Sequence, residues 1–360
     1  MPDFSPIIAD AYQEILERPP DAGGLAGYNA GMNQSMSEAE MRESLLRSPE
    51  YASRNPDPGI SERLGLNAHV PSNPILRDIA RNLGMQWIRV DFDWFRIEPQ
   101  QGRFRWEETD RVVDRAFRLN VEPLATLSYT PAWASSNPQN PAVSDPPAET
   151  SYWTRMVRET ITRYRDRVRF WQFWNEPNLR EFWGGTMTQY RTEILEPAAL
   201  LAKQIHPATQ VVAPGLANIG NWRDWFEEAM QAKSHIDIIN HHNYPSDGRE
   251  VIGELERDQI FRPSLRTLIR DLGVEDKPFW ITETGRETRE GNQLEYYQDV
   301  VASLRNSDWV DRIFFFHYWD GPDQGDGGFG IVNANLSPKP VYFFLQGVLR
   351  PVAVVSELVS

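Results

Sequence analysis

Two glutamates in this sequence each follow an apolar, aromatic segment directly. Glu176 comes after the run FWQFWN at 170–175, and Pro177 ends that predicted strand immediately afterwards. Glu283 comes after PFWIT at 278–282 in the same way. A strand buried on both faces has no chemical use for a carboxylate at its end unless that end opens into a site. The pattern therefore predicts two carboxylates that face one another.

A pair of facing carboxylates suits the hydrolysis of a glycosidic bond. One carboxyl group must be protonated to help the leaving oxygen depart, while the other must be ionised to attack or to activate water. The alternative for Glu176 and for Glu283 is a buried structural ion pair with an arginine.

Composition narrows the class of protein. The 360 residues can hold one large domain with a small one beside it. Thirteen tryptophans are more than usual and weakly favour carbohydrate binding, because flat aromatic rings stack on sugar rings. The net charge of -14 argues against nucleic acid as a partner. The absence of cysteine excludes disulfides and thiolate metal ligands.

Strand-like and helix-like segments alternate from about residue 62 onward, which is typical of a parallel sheet. The predicted strands centre on 64–67, 87–91, 123–127, 169–174, 210–213, 236–240, 279–282 and 312–316. The predicted helices cover 73–83, 107–119, 150–164, 188–205, 222–232, 260–271, 292–305 and 340–349. Eight such units predict an α/β fold, a (β/α)8 TIM barrel. The alternative, a doubly wound open sheet, usually carries a glycine-rich phosphate turn after its first strand, and 64–68 (LGLNA) does not provide one.

Polar or aromatic residues follow most of the predicted strands. The carboxyl ends of barrel strands meet at one rim, where the active site is built. Beside the two glutamates, the predicted substrate-binding residues of this rim are His69, Arg89, Tyr129, Trp133, Asn175, His242, Tyr244 and Trp319. Trp133 and Trp319 directly follow strands three and eight and are the predicted stacking platforms for sugar rings, with packing between helices as the alternative.

Two stretches suggest a metal at first sight, and we interpret both otherwise. The loop DGPDQGDGG at 320–328 has neither the spacing nor the closing glutamate of an EF-hand. His241 and His242 are neighbours on a predicted strand, so they point to opposite faces and are poorly placed to share one metal. We expect no metal and no cofactor.

The sequence WNEPN at 174–178, with Glu283 at the end of the seventh strand, resembles the retaining glycoside hydrolases of clan A. The resemblance is closest to glycoside hydrolase family 39 and its relatives that cut bacterial exopolysaccharides. Other matching stretches are GLNAH at 65–69, WIRVDFDW at 87–94, YTPAWA at 129–134, HNYP at 242–245 and PKPVY at 338–342. They span nearly the whole predicted barrel. The Asn-Glu-Pro core is shared by many clan A families, so it identifies the clan better than the family.

The resemblance implies roles for the matched glutamates. Glu176 would be the general acid/base and Glu283 the nucleophile of a double displacement, which predicts carboxyl groups about 5–5.5 Å apart. Arg89 and Tyr244 would hold Glu283 ionised, since a nearby cation lowers the pKa of a carboxyl group. The alternative for Arg89 is an ion pair with Asp91 or Asp93.

Two further matched residues have implied contacts with the sugar. Asn175 would hydrogen-bond the 2-hydroxyl next to the scissile bond, and His242 would line the sugar site, with an ordinary buried histidine as its alternative. Glu98 is interpreted as a structural or rim residue, not as a third catalytic group.

Residues 3 to about 55 predict a separate small all-α module. Apolar residues recur at helical spacing over 7–16, and RPPDAGG at 18–24 breaks this first helix. Ser37 and Glu40 predict a capping box at the start of a third helix. The pattern, which closes on 46–51, resembles a domain of unknown function, sometimes described as phycobilisome-linker-like, in bacterial secreted and surface proteins. It implies attachment to a surface or to a protein.

The predicted domains are a helical module with its linker (55–59) over 1–58 and a catalytic barrel over 59–360. The leading hypothesis is a retaining β-glycosidase, endo-acting on a β-linked bacterial exopolysaccharide. The alternatives are an exo-acting β-xylosidase-type enzyme and a non-catalytic carbohydrate-binding or matrix protein on a barrel scaffold. The substrate is an oligo- or polysaccharide in either enzymatic case.

The module leads us to expect a secreted or cell-surface bacterial protein. The first residues, MPDF, lack the basic and apolar regions of a secretory signal, which leaves a cytoplasmic location as the alternative. No apolar run approaches membrane-spanning length, so we expect no membrane span.

Overall fold

The structure, a computed structural model, describes residues 2–16, 18–46, 48, 50, 58–321 and 328–349. Most of the predicted linker at 55–59 lies outside the described residues, and so does most of the loop at 320–328. Tyr51, on which the N-terminal resemblance closes, lies outside them as well.

In the described residues of the N-terminal part, the structure has the helices α1 (Ser5–Leu16), α2 (Ala22–Gln34) and α3 (Glu38–Leu46). The capping box predicted before α3 is confirmed, because the Ser37 N–H donates to Glu40 Oε2 at 2.7 Å and the Glu40 N–H donates to Ser37 Oγ at 3.2 Å. The helices share an apolar core that is separate from the barrel core: Ile8, Ala11, Tyr12, Leu16, Met41 and Leu45. The domain boundary itself stays a prediction.

Eight parallel strands follow, and they confirm the predicted barrel. They are β1 (Leu64–His69), β2 (Trp87–Asp93), β3 (Glu122–Ser128), β4 (Phe170–Phe173), β5 (Gln210–Val212), β6 (Ile239–His242), β7 (Phe279–Thr284) and β8 (Val310–Phe315). Their order in the sheet is β5-β4-β3-β2-β1-β8-β7-β6. The bridge between Val212 and Ile238 joins β5 to the segment before β6 and closes the ring.

Helices surround the strands. They are α4 (Pro58–Glu62), α5 (Asn73–Arg77), α6 (Trp94–Ile97), α7 (Glu107–Leu119), α8 (Thr150–Tyr164), α9 (Met187–Gln189), α10 (Glu196–Ile205), α11 (Trp222–Ala229), α12 (Glu250–Glu256), α13 (Leu265–Asp271), α14 (Gln293–Asn306) and α15 (Pro340–Leu349). A π-helical segment, Asp78–Leu83, extends α5, and another, Tyr190–Leu195, joins α9 to α10. Two short 3-10 helices, Ala132–Ala134 and Thr288–Glu290, lie after β3 and β7, and a third, Met230–His235, continues α11.

Local capping signals explain why the bounds of α7 agree with the prediction and why the start of α13 does not. In α7, acidic residues fill the first turn, where the helix dipole favours them, and Asn120 ends the helix with a left-handed φ of 57°. The helix predicted at 260–271 begins too early, because Ser264 Oγ accepts from the Thr267 N–H and sets the start of α13 at Leu265. The sequence analysis also missed α12, which has Gly253 in its middle.

Every second residue of a strand points into the barrel. Along the barrel axis, these inward residues change from apolar to charged. The layer at the N-terminal end of the strands is apolar: Trp87, Leu124, Phe170, Val212, Ile238, Trp280 and Phe314. A layer of buried amides and hydroxyls follows: Asn67, Thr126, Gln172, Asn240 and Thr282. Arg89, Glu176, His242 and Glu283 lie at the C-terminal end.

Within the part of the chain that the structure describes, no helix has the length and apolar character needed to cross a bilayer.

Candidate active site

The backbone after β4 positions Glu176 in an uncommon conformation. Trp174 and Glu176 have φ values of 78° and 40°, in the left-handed region that side chains other than glycine rarely adopt. Neighbouring strands hold this turn, because the Trp174 N–H donates to the Leu127 carbonyl at 2.8 Å and the Glu176 N–H donates to the Gly215 carbonyl at 3.1 Å. Strained backbone of this kind clusters at functional sites.

Glu283 lies in β7, at an irregularity in the pairing with β6. Its carboxylate is held from two sides: Arg89 Nη1 donates to Oε1 at 2.6 Å, and the Tyr244 hydroxyl donates to Oε2 at 2.8 Å. The alternative partners of Arg89 are excluded, because Asp91 pairs with His69 and Asp93 pairs with Arg96. This arrangement matches the positioning that the resemblance implied.

The surroundings of Glu283 favour its ionised form. Burial by itself would raise the pKa of Glu283, but the charges of His242 and Arg89 and the hydrogen bond from Tyr244 outweigh it, and the pKa lies below its usual value. Burial of the hydroxyl against Glu283 and the charge of that carboxylate raise the pKa of Tyr244, so the hydroxyl stays a donor.

Glu176 has different surroundings. Its Oε1 lies 2.8 Å from His242 Nδ1, and among the contacts of the described residues its carboxyl group has no arginine or lysine partner. One carboxyl oxygen of Glu176 and one of Glu283 lie within 4.8 Å of each other. The two carboxyl groups are thus close enough to act on the same bond of a substrate.

A cavity of about 450 Å³ opens above the two glutamates. Seven of the predicted residues line it: His69, Arg89, Tyr129, Asn175, Glu176, Tyr244 and Glu283. Its volume is near the lower end of the range for small-molecule sites, which suits a short glycoside.

Asn175 and Tyr129 lie side by side in the cavity wall. Asn175 Oδ1 accepts from Arg89 Nη2 at 2.7 Å, so one guanidinium orients both Glu283 and Asn175. The Tyr129 hydroxyl is hydrogen-bonded to Asn175, and burial raises the pKa of Tyr129, which keeps the phenol neutral.

His69 lies at the same rim, paired with Asp91. Burial alone would lower its pKa, but the charge of Asp91, whose Oδ2 lies 2.8 Å from Nδ1, outweighs this and raises the pKa of His69. The other ring nitrogen lies 3.1 Å from His317 Nδ1, and burial lowers the pKa of His317 to about 3. His317 is therefore neutral, and its Nδ1 can accept a hydrogen bond from His69 Nε2.

His242 is buried behind the glutamates and does not line the cavity. Its Nδ1 lies 2.8 Å from Glu176 and 3.5 Å from Glu283. Among the described residues, these three bring possible ligand atoms close enough for a metal ion. We assign none, because Glu283 already accepts from a guanidinium and a phenol, and the expected absence of a metal stays a prediction.

The two predicted stacking platforms, Trp133 and Trp319, do not line this cavity, and their role stays a prediction. Trp133 packs edge-on against Trp94 and donates from Nε1 to the Glu98 carbonyl at 2.8 Å. Trp319 donates from Nε1 to the Ala334 carbonyl at 3.0 Å. These hydrogen bonds fix the Trp133 ring against the segment that follows β2 and the Trp319 ring against its own loop.

Most of the apolar residues that line the cavity were not predicted. Phe182, Phe316 and Phe329 line the cavity, together with Asp91, Thr126 and Ser128. The alternation of inward side chains along β2 and β3 could have identified Asp91 and Thr126. Phe316 directly follows β8, whereas Phe329 lies in a loop without periodicity.

Glu98 has structural partners only. It is fully buried, its carboxylate pairs with Arg155 at 2.5 Å and accepts from Trp94 Nε1 at 2.9 Å, and the Gly102 N–H donates to it at 2.6 Å.

Comparison with known proteins connects this site to a family. The model of glycosyl hydrolases family 39 matches residues 73–303. A β-xylosidase of Geobacillus stearothermophilus is 24% identical over 330 residues, which cover 78% of this chain and 65% of that protein. A β-xylosidase of Caldicellulosiruptor saccharolyticus is 25% identical over 298 residues, which cover 72% of this chain and 59% of that protein.

Solved structures agree on the fold. A β-xylosidase from Caulobacter crescentus superposes with a TM-score of 0.65 at 20% identity, over 79% of this chain and 67% of that one. The chain thus spans about two thirds or less of the length of the curated β-xylosidases that it matches.

Proposed function

The chain belongs to glycosyl hydrolases family 39, and on that premise we propose that it is a retaining β-glycosidase. Glu176 is the general acid/base and Glu283 the nucleophile. The observation that carries this proposal is the pair of carboxyl groups with oxygens within 4.8 Å of each other in opposite surroundings. Retaining enzymes have carboxyl groups about 5–5.5 Å apart, whereas inverting enzymes need about 6.5–9.5 Å to admit a water molecule.

The reaction proceeds in two displacements. In the first, a Glu283 oxygen forms a bond to the anomeric carbon, the bond from that carbon to the leaving oxygen breaks, and Glu176 gives its proton to that oxygen. In the second, Glu176 takes a proton from water, the water oxygen attacks the anomeric carbon, and Glu283 leaves as a carboxylate. Each carboxyl group ends the cycle in its starting protonation state.

The contacts around the glutamates support this division of roles. A nucleophile must be ionised, and Glu283 has a lowered pKa beside Arg89. An acid must be able to hold a proton, and Glu176 has no arginine or lysine partner among the described contacts.

For the substrate, we propose an exo-acting enzyme on β-xylosides or similar short β-glycosides. The relatives described as β-xylosidases and the small cavity support this alternative better than endo-action on an exopolysaccharide. The endo hypothesis rests on the N-terminal resemblance, whose implied attachment role and surface location stay proposals. A silent carbohydrate-binding barrel is disfavoured, because such a scaffold has no need for two matched carboxyl groups.

A hydrolysis panel separates these functions. The purified protein is incubated with aryl β-xyloside, aryl β-glucoside, xylo-oligosaccharides and bacterial exopolysaccharides, with Glu283→Ala as the negative control and Glu98→Gln as a matched variant of a buried glutamate outside the site. We expect release of terminal sugar from the xyloside, with the β-anomer formed first in proton NMR spectra. Cleavage only inside polysaccharides would favour the endo hypothesis, and binding without cleavage the scaffold. An α-anomer formed first would contradict the retaining mechanism.

A further inference from the structure

We propose that Asn240 and Thr282 are positioning residues that lock His242 in the tautomer with its proton on Nε2. In this tautomer His242 can accept a hydrogen bond from protonated Glu176 at Nδ1, and it must become a cation to donate one. The catalytic consequence rests on the proposed acid/base role of Glu176, whereas the tautomer itself does not.

Backbone groups fix the orientation of the Asn240 amide. Its Nδ2 donates to the Ala213 carbonyl at 3.1 Å, and its Oδ1 accepts from the Thr282 N–H at 3.3 Å. A carbonyl cannot donate and a backbone N–H cannot accept, so the reversed amide would place like groups against each other at both contacts.

The contacts of Gln172 independently indicate the same orientation of the Asn240 amide. Its Nε2 donates to the Trp174 carbonyl at 2.8 Å, which leaves its Oε1 to accept from Asn240 Nδ2 at 3.0 Å. The oxygen of Asn240 therefore faces Thr282.

The single hydroxyl proton of Thr282 then has one possible direction. Thr282 Oγ1 lies 2.8 Å from Asn240 Oδ1, and an amide oxygen can only accept, so the hydroxyl donates there. His242 Nε2 lies 3.0 Å from the same Oγ1. Since the hydroxyl proton is already used, Nε2 must carry a proton and donate it to Thr282.

The imidazole ring has no room to escape this arrangement. His242 is fully buried, and a β-carbon built on Gly215 would lie 2.0 Å from Nε2. The backbone of Gly215 thus packs directly against the ring, and its carbonyl also accepts from the Glu176 N–H at 3.1 Å.

The locked tautomer couples His242 to the charge of Glu176. Across the 2.8 Å contact between Nδ1 and Oε1, a bare nitrogen opposite an ionised carboxylate would be two acceptors without a proton. The locked tautomer therefore disfavours an ionised carboxylate at this contact and favours the protonated carboxyl group, which can donate from Oε1 to Nδ1.

Several ionisable groups face this histidine from the elements packed against it. They are Glu176 after β4, Glu283 in β7 with Arg89 of β2 behind it, Tyr244 after β6, and the neighbouring His241 on the outer side of β6. Burial lowers the pKa of His241 to about 3, so that histidine stays neutral.

Nitrogen-15 NMR of the uniformly labelled protein, free of substrate, tests the tautomer directly. The ring signals of His242 are assigned by their loss in His242→Gln, with His242→Asn as a second reference. We expect Nε2 to carry a proton at every pH at which the protein is folded. A neutral ring with its proton on Nδ1 and a bare Nε2 would overturn the proposal, and this result does not depend on whether the protein hydrolyses anything.

Thr282→Val and Thr282→Ser test the consequence in turnover. Valine removes the acceptor, so a neutral ring can carry its proton on Nδ1 and still donate to Glu176. A hydrogen bond donated to a carboxylate favours its ionised form, so we expect the alkaline limb of the kcat/KM pH profile to move downward by about one pH unit in Thr282→Val and to keep its wild-type position in Thr282→Ser. A purely structural role would lower activity at all pH values without moving the limb, and an unmoved limb in Thr282→Val would overturn the coupling.

Discussion

The two ends of the barrel interior differ in charge, and the end that carries the charged residues has the smaller cavity. The larger cavity, about 1310 Å³, lies at the N-terminal end of the strands, where the Arg312 guanidinium lies 3.6 Å from the ring centre of Trp87 and 4.6 Å from that of Trp280. The smaller cavity, about 450 Å³, lies at the C-terminal end and holds the two glutamates.

The difference shows that charge arrangement, more than volume, identifies the reactive end. Arg312 stacks on aromatic rings, and burial lowers its pKa to about 10. Arg89, at the other end, directs its donors to Glu283 and Asn175. The first arrangement seals an apolar layer, whereas the second pre-orients groups for charge that develops during a reaction.

The strongest test of this contrast removes a group from the reactive end. Glu283→Ala should lower kcat by at least about 10⁴-fold, because the covalent intermediate can no longer form. Thermal unfolding should stay close to that of the wild type. Residual turnover above about 1% of wild type would mean that another group acts as the nucleophile.

The matching change at the other end should affect stability alone. Trp280 is buried in the apolar layer, so Trp280→Ala should lower the free energy of unfolding by about 3–5 kcal/mol, as measured by urea denaturation. Turnover per folded molecule should be retained. Trp309→Ala, at a half-buried ring stacked on Phe279, is the control with the smaller loss. A selective loss of kcat in Trp280→Ala would break the division between the two ends.

A smaller effect is expected when only a hydrogen bond is removed. Tyr244→Phe deletes the donor to Glu283 Oε2 and should lower kcat/KM roughly 10- to 100-fold, since hydrogen bonds to charged groups contribute about 1.5–3 kcal/mol. Tyr152→Phe removes a hydroxyl that faces an exposed glutamate and serves as the control. Equal activity of the two variants would contradict the role of Tyr244.

The smallest effect concerns pH and stability at the edge of the site. Burial and the charge of Asp91 raise the pKa of Asp93 to about 7, above its unfolded value of 3.8. The folded state therefore binds more protons between these two values, so this group makes folding less favourable as pH rises from about 4 to 7. The free energy of unfolding of Asp93→Asn, measured relative to that of the wild type, should therefore be about 1–2 kcal/mol higher at pH 8 than at pH 4.

Urea denaturation at the two pH values measures this difference. Asp110 is the control of opposite sign, since its hydrogen bond from Arg163 lowers its pKa, and Asp110→Asn should lose stability at pH 8. A constant difference between Asp93→Asn and wild type at both pH values would show that Asp93 is not protonated in the folded state.

The sequence predicted those parts of the site that follow from strand periodicity. Glu176 and Glu283 end apolar runs, and Arg89 alternates with buried residues along β2, so the barrel brings them together. Trp133 and Trp319 do not line the cavity, and periodicity could not show this, because a tryptophan after a strand can also donate to a backbone carbonyl of its own or a neighbouring loop. No periodic signal marks Phe329, and composition cannot reveal the hydrogen-bond directions around His242.

Trapping the covalent intermediate tests the central claim most directly. The protein is incubated with the 2-deoxy-2-fluoro glycosyl fluoride of its best substrate, which slows both displacements but the second more, and the digested protein is analysed by mass spectrometry. We expect one added sugar on the peptide that contains Glu283, and no label in Glu283→Ala. A sugar attached to Glu176, or full turnover of the natural substrate with an inverted product and no adduct, would contradict the account.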